Sequence, residues 1–299
     1  MAVGTAGWTD AGDIVRPVQV RSLGYLTDLV VRRLAGSQIT EGDGHLVVRT
    51  PRNPSFYWGN FLLFPSAPAP GDIQRWLGLF ATEFPGAHHV AFGVDGTEGP
   101  LEMSAELDEA GLTIDSSTVL TAQGLREPAQ PPTDGTARPL RTAQDWEQAV
   151  GLRVAVAESE GSATPGHRNF LESSVAEARF LVDQGHATFF GAFVDGRLCA
   201  YLGLVSDGGS VARYQTVETH PDHRRRGLAS SLVYRAGLHG LEDRGARTLV
   251  MVADPVGPAI GLYRTLGFSG EEQQAELLRA PTMQPVSGIS APTDPVKKP

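Results

Sequence analysis

The stretch Thr219-His220-Pro221-Asp222-His223-Arg224-Arg225-Arg226-Gly227-Leu228-Ala229-Ser230 decides the fold of this chain. Residues 211–219 are predicted to form a strand that leads into it, and an apolar-periodic helix is predicted from about residue 228. A strand, a short basic turn and a helix N-terminus together form a cradle for an anion, because successive backbone N–H groups point into the turn and the helix dipole adds positive potential. The pattern therefore predicts a binding site for a cofactor that carries a pyrophosphate.

The residue types within this cradle suit that ligand. Gly227 lets a phosphate approach the main chain, and the small Ala229 leaves the first helical turn uncrowded. The arginines at 224–226 add positive charge and can contact phosphate directly. For the arginines taken alone, a solvated basic turn is the alternative.

The spacing Arg224-x-x-Gly227-x-Ala229 after a strand resembles the coenzyme A signature of the GNAT superfamily of N-acetyltransferases. Further along, Ala259-Ile260-Gly261-Leu262-Tyr263-Arg264-Thr265-Leu266-Gly267-Phe268 resembles the second motif of that superfamily, Ala-x-x-Leu-Tyr-x-x-x-Gly-Phe. A predicted helix (228–243) and a predicted strand (248–252) lie between the motifs, in the order that the superfamily requires. The resemblance implies an α/β (α+β) fold, in which a mixed, mostly antiparallel sheet is flanked by helices.

Composition and charge restrict the class of protein. The chain has 299 residues, of which 41% are hydrophobic and 20% charged, as in soluble globular proteins large enough for two ordinary domains. The formal net charge of −9 argues against nucleic acid as the main partner. We find no apolar run of membrane-spanning length and no secretory signal pattern, so we expect a cytoplasmic protein with no membrane partner.

Cys199 is the only cysteine, which excludes an internal disulfide framework and suits a reducing compartment. It lies within the apolar run 198–202, and no basic residue adjoins it in sequence. We therefore interpret it as a packed small hydrophobe rather than as a nucleophile.

Composition also divides the chain into two units. Residues 124–139 contain four prolines and are predicted to be a linker. Residues 137–280 follow the GNAT order of strands and helices across nearly their whole length, so we expect the catalytic domain there. Residues 281–299 are rich in Pro, Ser and Thr, which predicts a disordered tail.

The N-terminal unit, residues 13–123, is less distinct. The pattern predicts helices over 22–35, 73–84 (capped by Asp72) and 103–110, and strands over 45–49, 57–64, 89–94 and 112–122. The connection 65–71 lacks any Arg-x-x-Gly-x-Ala turn. We interpret this unit as a degenerate second GNAT-like domain without a cofactor cradle, so that two such domains stand in tandem. An unrelated α/β domain is the alternative.

The resemblance implies how the chemistry would proceed. GNAT enzymes transfer the acyl group directly from the thioester of acetyl-CoA to an amine, without a covalent enzyme intermediate and, as we expect here, without a metal. The family stabilises the developing oxyanion with a backbone N–H on the strand before the cradle, which falls at Val217 to Thr219. The residues expected to contact the cofactor are Val217, Thr219, Arg224, Arg225, Arg226, Gly227, Leu228, Ala229 and Ser230.

Two residues are candidates for proton transfer. Glu218 is the leading candidate for the base that deprotonates the attacking ammonium, although it could be an exposed strand carboxylate instead. Tyr263 matches the motif tyrosine and could protonate the departing thiolate, or could be an ordinary aromatic of the core. Weaker candidates for the base are Glu158, Glu160 and His167, whereas His220 and His223 are expected to belong to the turn.

One position departs from the family pattern. Val256 stands where many members have an Asn that helps to hold the cofactor, so that contact does not carry over. Together with the missing cradle in the first unit, Val256 supports an alternative function, a non-catalytic acyl-CoA-binding sensor or regulatory module. A structural adaptor is a third possibility, because Phe56-Tyr57-Trp58 could form a contact surface.

The function that the sequence predicts first is acetyl-CoA-dependent N-acetylation of a small-molecule or peptide amine. Residues 1–136 carry a net charge of −8, against −1 for residues 137–299, which would suit a cationic amine. Turnover of acetyl-CoA with an amine distinguishes this enzyme from the sensor and from the adaptor.

Overall fold

The computed structural model describes residues 18–280 except for 55, 97–100, 103, 133 and 163–165. The predicted tail (281–299) and the first residues of the N-terminal unit (13–17) lie outside the described residues.

Within the described residues, helices and strands occupy most of the chain. The N-terminal part contains α1 (Leu23–Leu34), β1 (Gln38–Glu41), β2 (Leu46–Arg49), β3 (Phe61–Phe64), α2 (Asp72–Glu83), β4 (Val90–Val94), α3 (Ala105–Glu109) and β5 (Thr113–Ala122). The C-terminal part contains β6 (Thr136–Pro139), α4 (Ala143–Ser159), α5 (His167–Asp183), β7 (Ala187–Val194), β8 (Arg197–Val205), β9 (Val211–Thr219), α6 (Leu228–Leu238), β10 (Thr248–Ala253), α7 (Pro258–Thr265) and β11 (Ser269–Arg279).

The strands of this part of the chain form one continuous sheet, in the order β1-β2-β3-β4-β11-β5-β10-β9-β8-β7-β6. The pairs β3–β4 and β9–β10 are parallel, and the other neighbours are antiparallel. The mixed, mostly antiparallel sheet flanked by helices is therefore confirmed. The strand order is also nearly symmetrical about its centre. On one side lies the parallel pair β3–β4, joined through α2, and on the other side lies the parallel pair β9–β10, joined through α6. This symmetry supports the tandem interpretation.

The two halves of the sheet exchange strands at its centre. The last strand, β11, lies between two strands of the N-terminal part, so that Ala275 pairs with Val94 on one side and with Ser116 on the other. The strand β5 in turn pairs with β10, where Leu120 lies opposite Met251. Backbone hydrogen bonds therefore join the two units across the middle of the sheet. The division of the chain into units at residues 123 and 137 remains a prediction. The strands β5 and β11 each pair with strands of the other unit.

Two local predictions need correction. The predicted linker includes a strand, β6, which pairs with β7 at the edge of the sheet. The predicted strand over 57–64 begins only at Phe61, because residues 57–59 form a single 3-10 turn. The Asn60 side chain stabilises that turn by accepting a hydrogen bond from the Thr50 backbone (3.0 Å) and donating to the Phe56 carbonyl (2.9 Å).

Two helix boundaries also differ from the prediction. Gly71, in the left-handed conformation, is the N-cap of α2, and Asp72 is the first residue of that helix rather than its cap. The helix predicted over 228–243 is α-helical only as far as Leu238, and residues 239–243 form a short π-helical turn. Thr142 is the N-cap of α4, where it forms a reciprocal capping box with Asp145.

The alternating side chains of the strands give the sheet two buried faces. On β7, Phe189 packs with α4 and α5, whereas Phe190 packs against the cluster that contains α6 and α7. Cys199 is fully buried in the second cluster, which confirms its interpretation as a packed small hydrophobe. Among the residues that the structure describes, no helix combines the length and the apolar character needed to cross a membrane.

Glu276 of β11 carries a titratable group at the centre of the sheet. Desolvation raises its pKa to about 8, although the Gln274 side chain donates a hydrogen bond to it (2.9 Å). Because this folded-state pKa lies above the unfolded-state value of about 4.3, the native protein binds the proton more tightly. The resulting stabilisation is complete below the unfolded-state pKa and is lost as the pH rises through about 8.

We therefore expect Glu276→Gln to raise the melting temperature more at pH 9 than at pH 5, because the glutamine cannot ionise. Thermal unfolding followed by circular dichroism at the two pH values measures the difference. The exposed Glu271 on the same strand offers a matched control, Glu271→Gln, for which no such pH-dependent difference is expected. An equal shift of the Glu276→Gln protein at both pH values would contradict the raised pKa.

Candidate active site

The basic turn between β9 and α6 has the geometry of an anion cradle. A short 3-10 turn (Pro221–His223) follows β9, and the chain then passes through Arg225 and Gly227, whose φ angles are +63° and +77°. Left-handed residues close to a helix start turn successive backbone N–H groups toward one point. Gly227 is the N-cap of α6, so this point also lies at the positive end of the helix dipole. The predicted strand–turn–helix arrangement is confirmed.

The parallel strands β9 and β10 separate just before this cradle. They pair only where Val211 to Arg213 lie beside Thr248 to Val250, and the described structure shows no pairing between the remainders of the two strands. The remaining residues of β9, 214–219, therefore border an opening that leads to the cradle. In the N-terminal unit, the corresponding parallel pair β3–β4 stays in register up to its last residues, Phe64 and Val94.

A β-bulge in β9 lies at the edge of this opening. Glu218 pairs with Tyr201 and Gln215 pairs with Gly203, so two residues, Thr216 and Val217, face one residue on β8. The φ angle of Thr216 is +51°, an uncommon value for a β-branched residue. Such bulges bend a strand and redirect its backbone, and they are frequent beside active sites.

Glu218 follows directly after the bulge. Its side chain is 22% exposed, so it is not the exposed strand carboxylate that the sequence left open. Its Oε1 lies 3.3 Å from Nε of Arg153, and its buried Oε2 has no hydrogen-bond partner among the described residues. Burial raises the pKa of Glu218 above its ordinary value, and the Arg153 guanidinium offsets part of that rise. The free oxygen can therefore accept a proton from a group that enters the site.

The weaker candidates for the base lie near Glu218 without replacing it. Glu160 caps the C-terminus of α4 and raises the pKa of Glu218, whereas His167, at the start of α5, lowers it. Glu160 itself forms an ion pair with Arg224 (2.8 Å). Glu158 is an exposed residue of α4.

Tyr263 lies on α7 in the core cluster that contains Leu266 and Phe268, and only 5% of the residue is exposed. Burial raises the pKa of its phenol to about 12. The hydroxyl therefore stays protonated at neutral pH and can donate its proton only to a strong base. This position is compatible with a structural role in the core and with the predicted role of proton donor.

The cradle arginines have carboxylate partners that the sequence does not indicate. Arg224 pairs with Glu160, and Arg226 pairs with Asp134 of the predicted linker. The linker also approaches Gly227, because a Cβ atom added there would lie 2.5 Å from the backbone oxygen of Gln130. A phosphate that binds in the cradle would exchange these carboxylates for its own oxygens.

A cavity of about 190 Å³ lies beside the bulge, between the two units. It is lined by Val31, Arg32, Asn53 and Phe56 of the N-terminal unit and by Arg153, Phe170, Ser174, Glu177, Ala178, Leu181, Phe189, Tyr201, Gln215 and Thr216 of the C-terminal unit. These residues come from separate helices, strands and loops, so no local motif could have indicated them. Within the described ranges, no group of three or more His, Cys, Asp or Glu side chains is placed to hold a metal ion.

The aromatic residues that suggested an adaptor surface are partly buried. Phe56 lies 5.6 Å from Phe170 of the other unit, and the ring of Trp58 packs edge-on against Phe61 at 5.8 Å. Tyr57 stacks on His89 at 4.6 Å. These contacts account for the aromatic run without a partner protein.

Comparison with known proteins agrees with this geometry. Residues 154–268, which contain the bulge, the cradle and Tyr263, match the model of the acetyltransferase (GNAT) family. This segment is a GNAT domain. A mycothiol acetyltransferase from Mycolicibacterium vanbaalenii is 28% identical over 150 residues, which are 48% of this chain and 46% of that protein. The match thus spans about half of that relative. The GNAT resemblance that the two motifs indicate is confirmed.

Solved structures share the fold beyond the GNAT domain. A GCN5-related N-acetyltransferase from Kribbella flavida has a TM-score of 0.58 and 18% identity, over 85% of this chain and 93% of its own. A conserved protein of unknown function from Staphylococcus epidermidis has a TM-score of 0.61 and 12% identity, over 83% of this chain and 96% of its own. Both similarities extend over the two units of the sheet.

Proposed function

We propose that this protein is an acetyl-CoA-dependent N-acetyltransferase that moves an acetyl group directly from coenzyme A to a small amine. The observation that carries this proposal is the opening between β9 and β10, which leads straight into the cradle. An opening between two strands beside an anion site suits a cofactor with a long, thin arm and a pyrophosphate. The single cysteine, the net charge of −9 and the nature of the co-substrate support a cytoplasmic enzyme that does not act on nucleic acid.

In this proposal the cradle holds the cofactor. Backbone N–H groups of the turn and the N-terminus of α6, at Leu228 to Ser230, bind the pyrophosphate. Arg224 and Arg226 move from their carboxylate partners to phosphate oxygens, and Arg225 adds positive charge. The backbone of Val217 and Thr219 borders the thioester. The equivalent pair in the N-terminal unit has no opening, so we place the cofactor in the C-terminal unit alone.

The transfer then needs two proton movements. The amine nitrogen attacks the thioester carbonyl while Glu218 accepts a proton from it, and the backbone N–H groups near Val217 stabilise the oxyanion. As the C–S bond breaks, Tyr263 gives its proton to the departing sulfur and regains one from solvent. A phenol with a pKa of about 12 keeps its proton until negative charge develops on the sulfur.

The pH dependence of the reaction tests Glu218. Because the carboxylate must be ionised to act as the base, kcat/KM should rise with pH, and the midpoint should lie above the ordinary glutamate value of about 4.3. Glu218→Gln should remove this acid limb and lower kcat/KM about 100-fold, the usual range for loss of a general base. The exposed Glu172 on α5 provides the control Glu172→Gln, which should leave the profile unchanged. An unaltered profile in the Glu218→Gln protein would assign the base elsewhere.

A non-catalytic acyl-CoA sensor is the second candidate function, and Val256 favours it. This side chain is 91% exposed and offers no polar group at the position where many family members hold the cofactor with an Asn. The bulge, the free Glu218 oxygen and the neutral Tyr263 favour the enzyme, because a sensor needs none of them.

One experiment on the full-length protein separates the candidates. Calorimetric titration with acetyl-CoA is expected to give one-to-one binding, and a screen of amines for release of free coenzyme A thiol is expected to give turnover. Binding without turnover with any amine would support the sensor. Absence of binding would reject both proposals.

A further inference from the structure

Arg32 of α1 is a buried guanidinium in the cavity between the two units. Its side chain is only 8% exposed, and it lines this cavity from the N-terminal side. Its Nε atom is buried without a hydrogen-bond partner among the described residues. Buried polar groups almost always have such partners, so an orphaned donor at a cavity wall is a candidate contact for a ligand.

The protein satisfies this guanidinium only weakly. The Glu177 carboxylate lies 3.4 Å from its Nη1, and the Asp28 carboxylate lies 3.7 Å from its Nε. The Phe56 ring lies 4.5 Å from its Cζ and holds the guanidinium plane in place. An arginine offers five N–H donors in a rigid fork that matches the two oxygens of a carboxylate. Arg32 is therefore preorganised for a bidentate anion that its two protein partners do not provide.

The other arginine that lines the cavity is less available to bind an anion. Arg153 already pairs with Glu218 (3.3 Å) and donates to the Ser174 hydroxyl (2.8 Å). It links the cavity to the free oxygen of Glu218, at the site of the expected chemistry. The cavity thus has an anion-binding group from the N-terminal unit whose carboxylate partners are distant, and a proton acceptor close to its C-terminal wall.

The size and walls of the cavity restrict the ligand further. Its volume of about 190 Å³ is below the roughly 300–1,000 Å³ of pockets for drug-sized ligands. The aromatic rings of Phe56, Phe170, Phe189 and Tyr201 contribute to its lining beside polar and charged side chains. This small volume suits a compact acceptor rather than a polyamine or an aminoglycoside.

We propose that the acceptor is an amino acid or a similarly small amine that carries a carboxylate, and that Arg32 binds this carboxylate while the amine faces Glu218. The proposal rests on the proposed N-acetyltransferase function. It gives the N-terminal unit a direct part in substrate recognition, because that unit supplies the anion-binding group.

Binding of matched ligand pairs to the full-length protein tests the proposal without acetyl transfer. Calorimetry with coenzyme A present compares alanine with ethylamine, leucine with isoamylamine, and phenylalanine with phenethylamine. For at least one pair, the wild-type protein should bind the amino acid at least about tenfold more tightly, as expected for a bidentate charge-assisted contact. Arg32→Gln should reduce this ratio to about one, and Arg32→Lys, which keeps the charge without the fork, to an intermediate value.

Two further variants keep the test independent of folding. Glu177→Gln retains Arg32 and removes its competing carboxylate, so it should increase the ratio. Arg33→Gln, at the exposed neighbour on the same helix, should leave the ratio at the wild-type value. A purely structural link between the units predicts the opposite pattern: Arg32→Gln would lower the melting temperature and weaken both members of each pair equally, which would overturn the proposal.

If the wild-type protein preferred the amino acid in none of the three pairs, the proposal would also be overturned. Failure of the N-acetyltransferase function has a different signature, since it appears as missing acetyl-CoA binding or missing turnover. The carboxylate preference is measured by binding alone and does not depend on either of these results.

Discussion

Replacement of Gly227 by alanine is expected to abolish measurable binding of acetyl-CoA, with an affinity loss of at least about 100-fold. The φ angle of +77° is unfavourable for any residue with a Cβ atom, and that atom would lie 2.5 Å from the backbone oxygen of Gln130. The turn would have to shift, and its N–H groups would no longer converge on one phosphate. Gly227→Glu should have at least the same effect, because it adds a negative charge at an anion site. Calorimetric titration with acetyl-CoA measures both variants.

The N-terminal unit offers a matched control for the backbone effect. Gly71 is the left-handed N-cap of α2, with φ of +88°, and no atom lies within 4 Å of a Cβ built there. Gly71→Ala should cost on the order of 1 kcal/mol of stability and leave acetyl-CoA affinity unchanged. Normal cofactor binding by the folded Gly227→Ala protein would show that the cradle is assigned wrongly.

Tyr263→Phe is expected to lower kcat about 100-fold while the dissociation constant of acetyl-CoA stays the same, as for loss of a general acid. The hydroxyl makes no hydrogen bond to any described residue, so its removal leaves no buried partner unsatisfied. The phenylalanine ring can fill the same space against Phe268. Steady-state kinetics and calorimetry on the same preparation separate the two constants, and the melting temperature should change little.

Tyr234→Phe provides the comparison for this variant. Tyr234 lies on α6, and its phenol faces Glu127 of the predicted linker on the outer side of that helix rather than the strand opening. Loss of the Tyr234 hydroxyl should leave kcat and the affinity for acetyl-CoA unchanged. If Tyr263→Phe also kept full activity, the proton would reach the sulfur by another route and Tyr263 would be a residue of the core.

The structural features of the candidate site that the sequence predicts correctly are those with local signals. The cradle follows from a strand, a glycine and a helix start within twelve consecutive residues, and Tyr263 follows from a motif on one short helix. The N-cap of α4 could likewise be predicted, because Thr142 and Asp145 are three positions apart. In each of these cases the residues that interact are also close in sequence.

The remaining features depend on contacts between distant segments. Arg32 and Glu177 are 145 positions apart, and Arg153 and Glu218 are 65 apart, so no periodicity or spacing relates them. The same holds for Gln130 and Gly227, which meet because the linker crosses the N-terminus of α6. A helical or β pattern indicates that a residue is buried, but it does not say which segment covers it. The cavity between the two units therefore emerges only from the three-dimensional structure.

The exchange of β5 and β11 has a consequence for how the chain is made. Residues 269–279, which form β11, are among the last of the described residues to leave the ribosome. The Tyr25 hydroxyl nevertheless donates a hydrogen bond to the Ala275 carbonyl, 250 positions later in the chain. The strands β4 and β5 share no neighbouring strand until β11 has been synthesised. The N-terminal unit thus cannot complete its sheet during synthesis, and contacts of such long range slow folding. Until translation reaches β11, the nascent chain exposes two strand edges that chaperones would need to protect. A stop codon before residue 269 would accordingly disable the unit that was synthesised first.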